Sequence, residues 1–169
     1  NNFFLSNIKT KARHEKIIES SLMGMHNYKN ISLAILASMQ AGVSFSVCID
    51  AIKKFKGVKR RMEKVENKGM LQIYDDFAHH PTEIESSIKS LKENFKEKKI
   101  LSICEIKSHS MISGAHKKDL PIALNNSHYS IIIKPPLSKW TLEKTSKNLH
   151  VVDSYDKAIK LIKKIEDKI

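Results

Sequence analysis

Two carboxylates and two imidazoles crowd one short stretch of this chain, Tyr74-Asp75-Asp76-Phe77-Ala78-His79-His80-Pro81-Thr82. Carboxylates placed there can hold ribose hydroxyls or a cation, and adjacent imidazoles can grip a substrate carboxylate or shuttle protons near neutral pH. Their spacing forms no zinc site with other residues in view. A second stretch, Gly57-Val58-Lys59-Arg60-Arg61-Met62-Glu63, sets two guanidinium groups side by side in a chain that otherwise chooses lysine, with Arg13 the only other arginine. A planar fork grips phosphate as an ammonium cannot, and a cation at a hinge can swing onto a phosphate when domains close. A solvated basic linker explains the same residues without function. In Gly24-Met25-His26-Asn27-Tyr28-Lys29-Asn30, the amides of Asn27 and Asn30 can read the edge of a heterocycle, and His26 can meet a phosphate or metal. The plainer reading makes Asn30 a helix N-cap. A fourth stretch, Glu105 to Gly114, is a polar loop suited to a substrate lip. Phosphate loops of the GxxxxGK[ST] and GxGxxG kinds are missing, and five glycines leave little room for either. The chain therefore does not cradle a triphosphate alone.

These stretches need elements to hold them. Short apolar runs at 3–6 and around Ile17 and Ile18 suggest edge strands. Ile31, Leu33, Ile35, Leu36 and Met39 recur at helical spacing until Gly42, and Val47, Ile49, Ile52 and Phe55 mark a second helix from near Ser44 to Gly57, giving a helical hairpin. Beyond it the spacing predicts a strand over 70–76 and a helix opened by Pro81, with Ile84, Ile88, Leu91 and Phe95 on its buried face. An interior strand over 100–104, a helix over about 117–125, a strand over 129–133 ended by Pro135-Pro136, a strand at Val151-Val152 and a final helix capped by Asp153 or Ser154 complete the series. That alternation is the rhythm of a mainly parallel sheet with right-handed crossovers, an α/β class, and it sets ligand loops at the carboxyl ends of the strands. On that geometry residues 75–80 and 105–114 share one edge. No internal repeat or low-complexity segment is present.

Composition narrows the partners. At 169 residues and 41% hydrophobic content the chain can build a packed core. No apolar run approaches the roughly 18 residues of a membrane span, and no signal-peptide pattern opens the chain, so a cytoplasmic setting without a membrane partner is expected. The opening Asn1 and abrupt Ile169 suggest that both ends are cut. Cys48 and Cys104 sit in unrelated apolar contexts, as free buried thiols do. The net charge of +12 invites a nucleic-acid reading. However, the lysines are scattered, no run reaches five like charges, and no aromatics interleave as a stacking platform would require.

Taken in order, the clusters resemble the Mur ligases, ATP-dependent enzymes that attach amino acids or peptides to UDP-N-acetylmuramic acid. The Gly24–Asn30 helix start resembles the end of that family's central ATPase domain, Gly57–Glu63 its linker, and Tyr74–Ile84 the first strand and loop of its C-terminal domain. Asp75–Thr82 is closer to the murein peptide ligase branch than to the L-alanine-adding relative, whose usual form is DDYGHHPT. Glu105–Met111 resembles that branch's EPRSNTM, departing from it at Ile106, Lys107 and His109, and Ile112 stands where a basic residue is common.

The resemblance implies an acyl-phosphate reaction joining UDP-N-acetylmuramate to the tripeptide L-Ala-γ-D-Glu-meso-diaminopimelate, with ATP and Mg2+ as cofactors. It implies that Asn27 and Asn30 contact adenine, Arg61 a phosphate and Asp76 the ribose, with His26 near the phosphates or metal. His79, His80, Lys107, Ser108, His109, Ser110 and His116 would line the peptide side, and Arg61, His79 and His80 are the catalytic candidates. Residues 1–56 would then be the end of the central domain and 57–169 the C-terminal domain short of its last strands, with the missing N-terminal and central domains as partners. The phosphate loop, metal-binding Glu and modified Lys would precede residue 1. The L-alanine-adding ligase is the nearest alternative, and a non-enzymatic basic nucleic-acid-binding module is the alternative of another class.

Overall fold

The computed structural model describes residues 5–6, 13–14, 19–69, 71–142 and 146–166. The chain forms two compact units, Asn1–Phe77 and Ala78–Ile169.

In the first unit, β1 (Leu5–Ser6) pairs antiparallel with β2 (Arg13–His14). Of the edge strand expected over 3–6, Leu5–Ser6 is β1 and the rest lies outside the described residues, as does the stretch around Ile17 and Ile18. Helix α1 (Met25–Gln40) and helix α2 (Phe45–Lys54) make the expected hairpin. Ile31 and Ile35 of α1 close onto Cys48 and Ile49 of α2, with Leu22, Met39, Phe45 and Ile52 around them. Apolar residues three and four apart share a helix face, so this stripe is what drives the pairing. Gly42, at φ 89°, permits the left-handed turn between the helices. One expectation fails here. Helix α1 begins five residues before Asn30, behind Gly24 at φ 93°, so Asn30 lies inside the helix and is not its N-cap.

The unit ends in a hairpin of β3 (Glu63–Lys68) and β4 (Leu71–Asp75), antiparallel and offset between Lys64 and Glu66. This corrects a second expectation. The strand foreseen over 70–76 exists, but it pairs with β3 and not within the parallel sheet.

In the second unit, α3 (Pro81–Asn94), β5 (Leu101–Glu105), α4 (His109–Ile112), α5 (Asp119–Leu124), β6 (Tyr129–Ile133), β7 (Leu149–Val152) and α6 (Tyr155–Glu166) follow in order. The sheet order is β5-β6-β7, all parallel, with Leu101 beside Tyr129 and Ser130 beside Leu149. Successive residues of a strand face opposite ways, and β6 uses both faces. Ile132 packs with Ile84 and Ile88 of α3, Leu120 and Leu124 of α5, and Leu149 of β7. Ile131 and Ile133 pack with Ala158 and Ile165 of α6. An uninterrupted Tyr-Ser-Ile-Ile-Ile run is what a strand covered on both faces requires. Among the described residues no helix is long and apolar enough to cross a membrane.

Cys104 borders the α3/α5 core, and burial, helped by the neighbouring Glu105 carboxylate, pushes its thiol up to about 12. At pH 8 its thiolate fraction falls about a thousandfold relative to an ordinary thiol. Alkylation of native chain followed by mass spectrometry should leave Cys104 unlabelled, while urea-unfolded chain reacts fully. The neutral thiol is favoured by folding, so this contribution is complete below the ordinary thiol range and fades as pH climbs toward about 12. Rapid native labelling at pH 8 would contradict the packing.

Candidate functional site

Each unit holds its own candidate cluster. In the first, the linker is a built turn. Arg60 and Met62 adopt left-handed backbone at φ 57° and 53°, a conformation that costs non-glycine residues about 1 kcal/mol or more each. Local bonds hold it. The Arg60 N–H donates to Glu63 Oε2 at 2.9 Å, and the Phe77 N–H donates to the Arg60 carbonyl at 2.8 Å.

The Arg60 guanidinium pairs with Asp75 at 3.2 Å and lies 5.1 Å from the Phe77 ring centre. Arg61 approaches the same ring at 5.9 Å and is exposed. The sequence set Arg60 and Arg61 apart as a pair, but the fold gives them different work. Arg60 and Asp75 neutralise one another, whereas Arg61 presents its fork on an aromatic support. Asp76, half-buried, follows the last residue of β4.

His26, Asn27 and Asn30 occupy the first turns of α1, and Asn27 and Asn30, three apart, share a face. The Asn27 side-chain amide donates to the Met23 carbonyl at 2.7 Å, tying down the chain entering the helix. Asn30 is exposed.

In the second unit, His80 is the N-cap of α3 and its Nδ1 accepts from the Thr82 N–H at 3.3 Å. An accepting Nδ1 assigns the proton of the neutral ring to Nε2. His116 stands against it edge-on, ring centres 4.6 Å apart at 73°. His79 is tied to Glu83 through its N–H at 3.2 Å and its ring at 3.8 Å. The N-terminal end of a helix favours negative charge, so two imidazoles there can receive a carboxylate.

The 105–114 loop leaves the carboxyl end of β5, as expected. Ser108 caps α4, accepting from the Met111 N–H at 3.4 Å, and its hydroxyl lies 3.3 Å from that of Ser110. His109 is exposed on α4, and Lys107 reaches Glu105 at 3.7 Å. Glu105 also accepts from the Tyr155 hydroxyl at 2.5 Å, which holds that phenol above its ordinary range. Sequence reasoning missed Tyr155, since nothing in its spacing ties it to a residue fifty positions away.

Three parallel strands with helices on both faces and polar loops at the strand ends define an α/β domain. A family profile described as "Mur ligase, glutamate ligase domain" matches residues 60–168, and the chain belongs to the Mur ligase family, with that family's C-terminal α/β domain. Among curated relatives, UDP-N-acetylmuramate--L-alanyl-gamma-D-glutamyl-meso-2,6-diaminoheptandioate ligase of Haemophilus influenzae is 31% identical over 150 residues, covering 83% of this chain and 33% of the relative. UDP-N-acetylmuramate--L-alanine ligase of Wigglesworthia glossinidia brevipalpis is 34% identical over 109 residues, covering 59% and 23%. The chain thus spans a quarter to a third of the length of these relatives.

The crystal structure of a murein peptide ligase from Psychrobacter arcticus superposes with a TM-score of 0.62 at 28% identity, covering 89% of this chain and 35% of that one. A UDP-N-acetylmuramate-alanine ligase from Thermotoga maritima reaches a TM-score of 0.70 at 18% identity over 90% and 35%, a likeness of fold.

Proposed function

We propose that this chain is the peptide-receiving part of an ATP-dependent ligase that joins L-Ala-γ-D-Glu-meso-diaminopimelate to UDP-N-acetylmuramate in peptidoglycan recycling. The relative matched over 83% of the chain carries that tripeptide in its name, and Asp75–Thr82 has the form of that branch. The single observation that carries the peptide role is the His80–His116 pair at the start of α3. In this reading the muramate carboxylate oxygen attacks the terminal phosphorus of ATP and ADP leaves. The peptide amine then attacks the acyl carbon, phosphate departs and the amine proton is released.

Arg61 bears on a phosphate, Asp76 on the ribose, Asn27 and Asn30 on adenine, and His26 lies toward the phosphates. His79, His80, His116 and the loop from Lys107 to Ser110 face the peptide. Among the described residues there is no group of three or more His, Cys, Asp or Glu that could hold a metal. The division at 56/57 into the end of a central domain and a C-terminal domain belongs to the same proposal, and the family profile's start at residue 60 supports it.

The test is an amide-resolved titration of labelled chain at physiological ionic strength. The tripeptide should shift resonances of residues 76–80 and 107–116, leaving α6 unmoved. Equal shifts with L-alanine alone would move the assignment to the L-alanine-adding relative, which the 34% match also supports. Silence toward the peptide together with salt-dependent binding of generic DNA would sink the ligase reading.

A further inference from the structure

Helix α4 is one turn long, His109–Ile112, and so short a helix does not hold itself together in water. Its geometry must be imposed from outside. At its start Ser108 caps it, and Met111, 1% exposed, anchors it in the core. At its end the carbonyl of Ile112 is among those a helix terminus leaves without an internal partner. Here that carbonyl accepts from Trp140 Nε1 at 2.9 Å.

Trp140 comes from the segment between β6 and β7 and is the chain's single tryptophan. Its ring lies directly on Gly114. A Cβ added at Gly114 would sit 2.6 Å from Trp140 Cδ1 and 2.7 Å from Cγ, and the residue's φ of +82° independently calls for glycine. Lys134 lies 5.5 Å from the ring centre and also donates to the Ser138 carbonyl, tethering the segment that carries the indole. The indole thus leaves no room for a side chain at 114 and makes a directed hydrogen bond to the same turn.

We propose that Trp140 is a positioning residue that latches the 108–114 turn and so orients His109, Ser110 and the approach to His116. Only the nature of the ligand rests on the function proposed above. Three loop amides report the latch: Ser113 donates to the His109 carbonyl at 2.9 Å, Gly114 to Met111 at 3.1 Å and Ala115 to Ser110 at 3.1 Å.

The experiment compares wild-type chain with Trp140→Phe, which keeps an aromatic ring and removes the N–H. Hydrogen exchange at those three amides should accelerate about five- to tenfold, the worth of one hydrogen bond, while exchange in β6 stays as in the wild type. The dissociation constant for the tripeptide should rise by a similar factor. Acceleration spread equally over β6, or none at the three amides, overturns the proposal. Gly114→Ala supplies an independent check, because the displaced indole should emit at longer wavelength. Unchanged emission also counts against the latch. If the wild-type chain ignores the tripeptide, the tripeptide assignment falls, and the exchange pattern still decides the latch.

Discussion

Replacing Ile132 by alanine should cost the second unit about 3–5 kcal/mol, a large share of a small domain's stability. The residue is 0% exposed on the central strand, and its side chain packs among α3, α5 and β7. Truncation removes apolar atoms from water-free surroundings and leaves a cavity that the sheet cannot close, because β6 is pinned on both sides by β5 and β7. Urea unfolding followed by far-UV circular dichroism should show the midpoint falling by roughly 2 M, taking a slope of about 2 kcal/mol per molar. Ile103→Ala on the edge strand β5 is the control. That side chain is 49% exposed, and its loss should cost about 1 kcal/mol. Equal effects at the two positions would mean that the core has been placed wrongly.

The second large effect is an absence of turnover. Purified chain given ATP, Mg2+, UDP-N-acetylmuramate and the tripeptide should release no ADP and form no amide detectable by mass spectrometry. A triphosphate needs several backbone N–H groups converging on it from a glycine-rich loop, with a lysine beside them. The five glycines, at 24, 42, 57, 69 and 114, stand apart from one another and form no such loop. Arg61 alone cannot replace it, because one fork neutralises part of the charge without positioning the terminal phosphorus. Measurable amide would overturn the division of labour proposed here, in which this chain contributes the peptide side and the triphosphate is held by residues it does not contain.

Much of the scaffold was legible because single residues carry strong local physics. Pro81 at the first position of α3, the apolar run of β6 and the glycine ending α1 each allow few alternatives. Strand β3 was not legible. Glu-Lys-Val-Glu-Asn-Lys has no alternation to read, and it is extended because β4 offers it backbone partners. The same pairing removed β4 from the parallel sheet. The start of α1 was missed because Gly24, with no side chain to accept a bond, stands where Asn30 looked the better cap.

At the candidate site, residue type pointed to the imidazoles and the arginine fork, but not to how they are used. That Arg60 is occupied by Asp75 and that His80 meets His116 are facts of tertiary placement. Trp140 offered only its rarity as a signal, since its partners at Ile112 and Gly114 become neighbours once β5 and β6 pair.

The parallel sheet also sets an order of events during synthesis. The α1/α2 and β3/β4 hairpins join near neighbours in the chain, so their closure loses little entropy and can proceed as soon as each emerges. Leu101 must wait for Tyr129 before the second unit gains its first interstrand bonds, and Ser130 must wait for Leu149 before the sheet is complete. Until α6 is made, Ile131 and Ile133 on the other face of β6 lack the cover of Ala158 and Ile165, and a nascent chain halted shortly after residue 133 would present that face to any sticky neighbour.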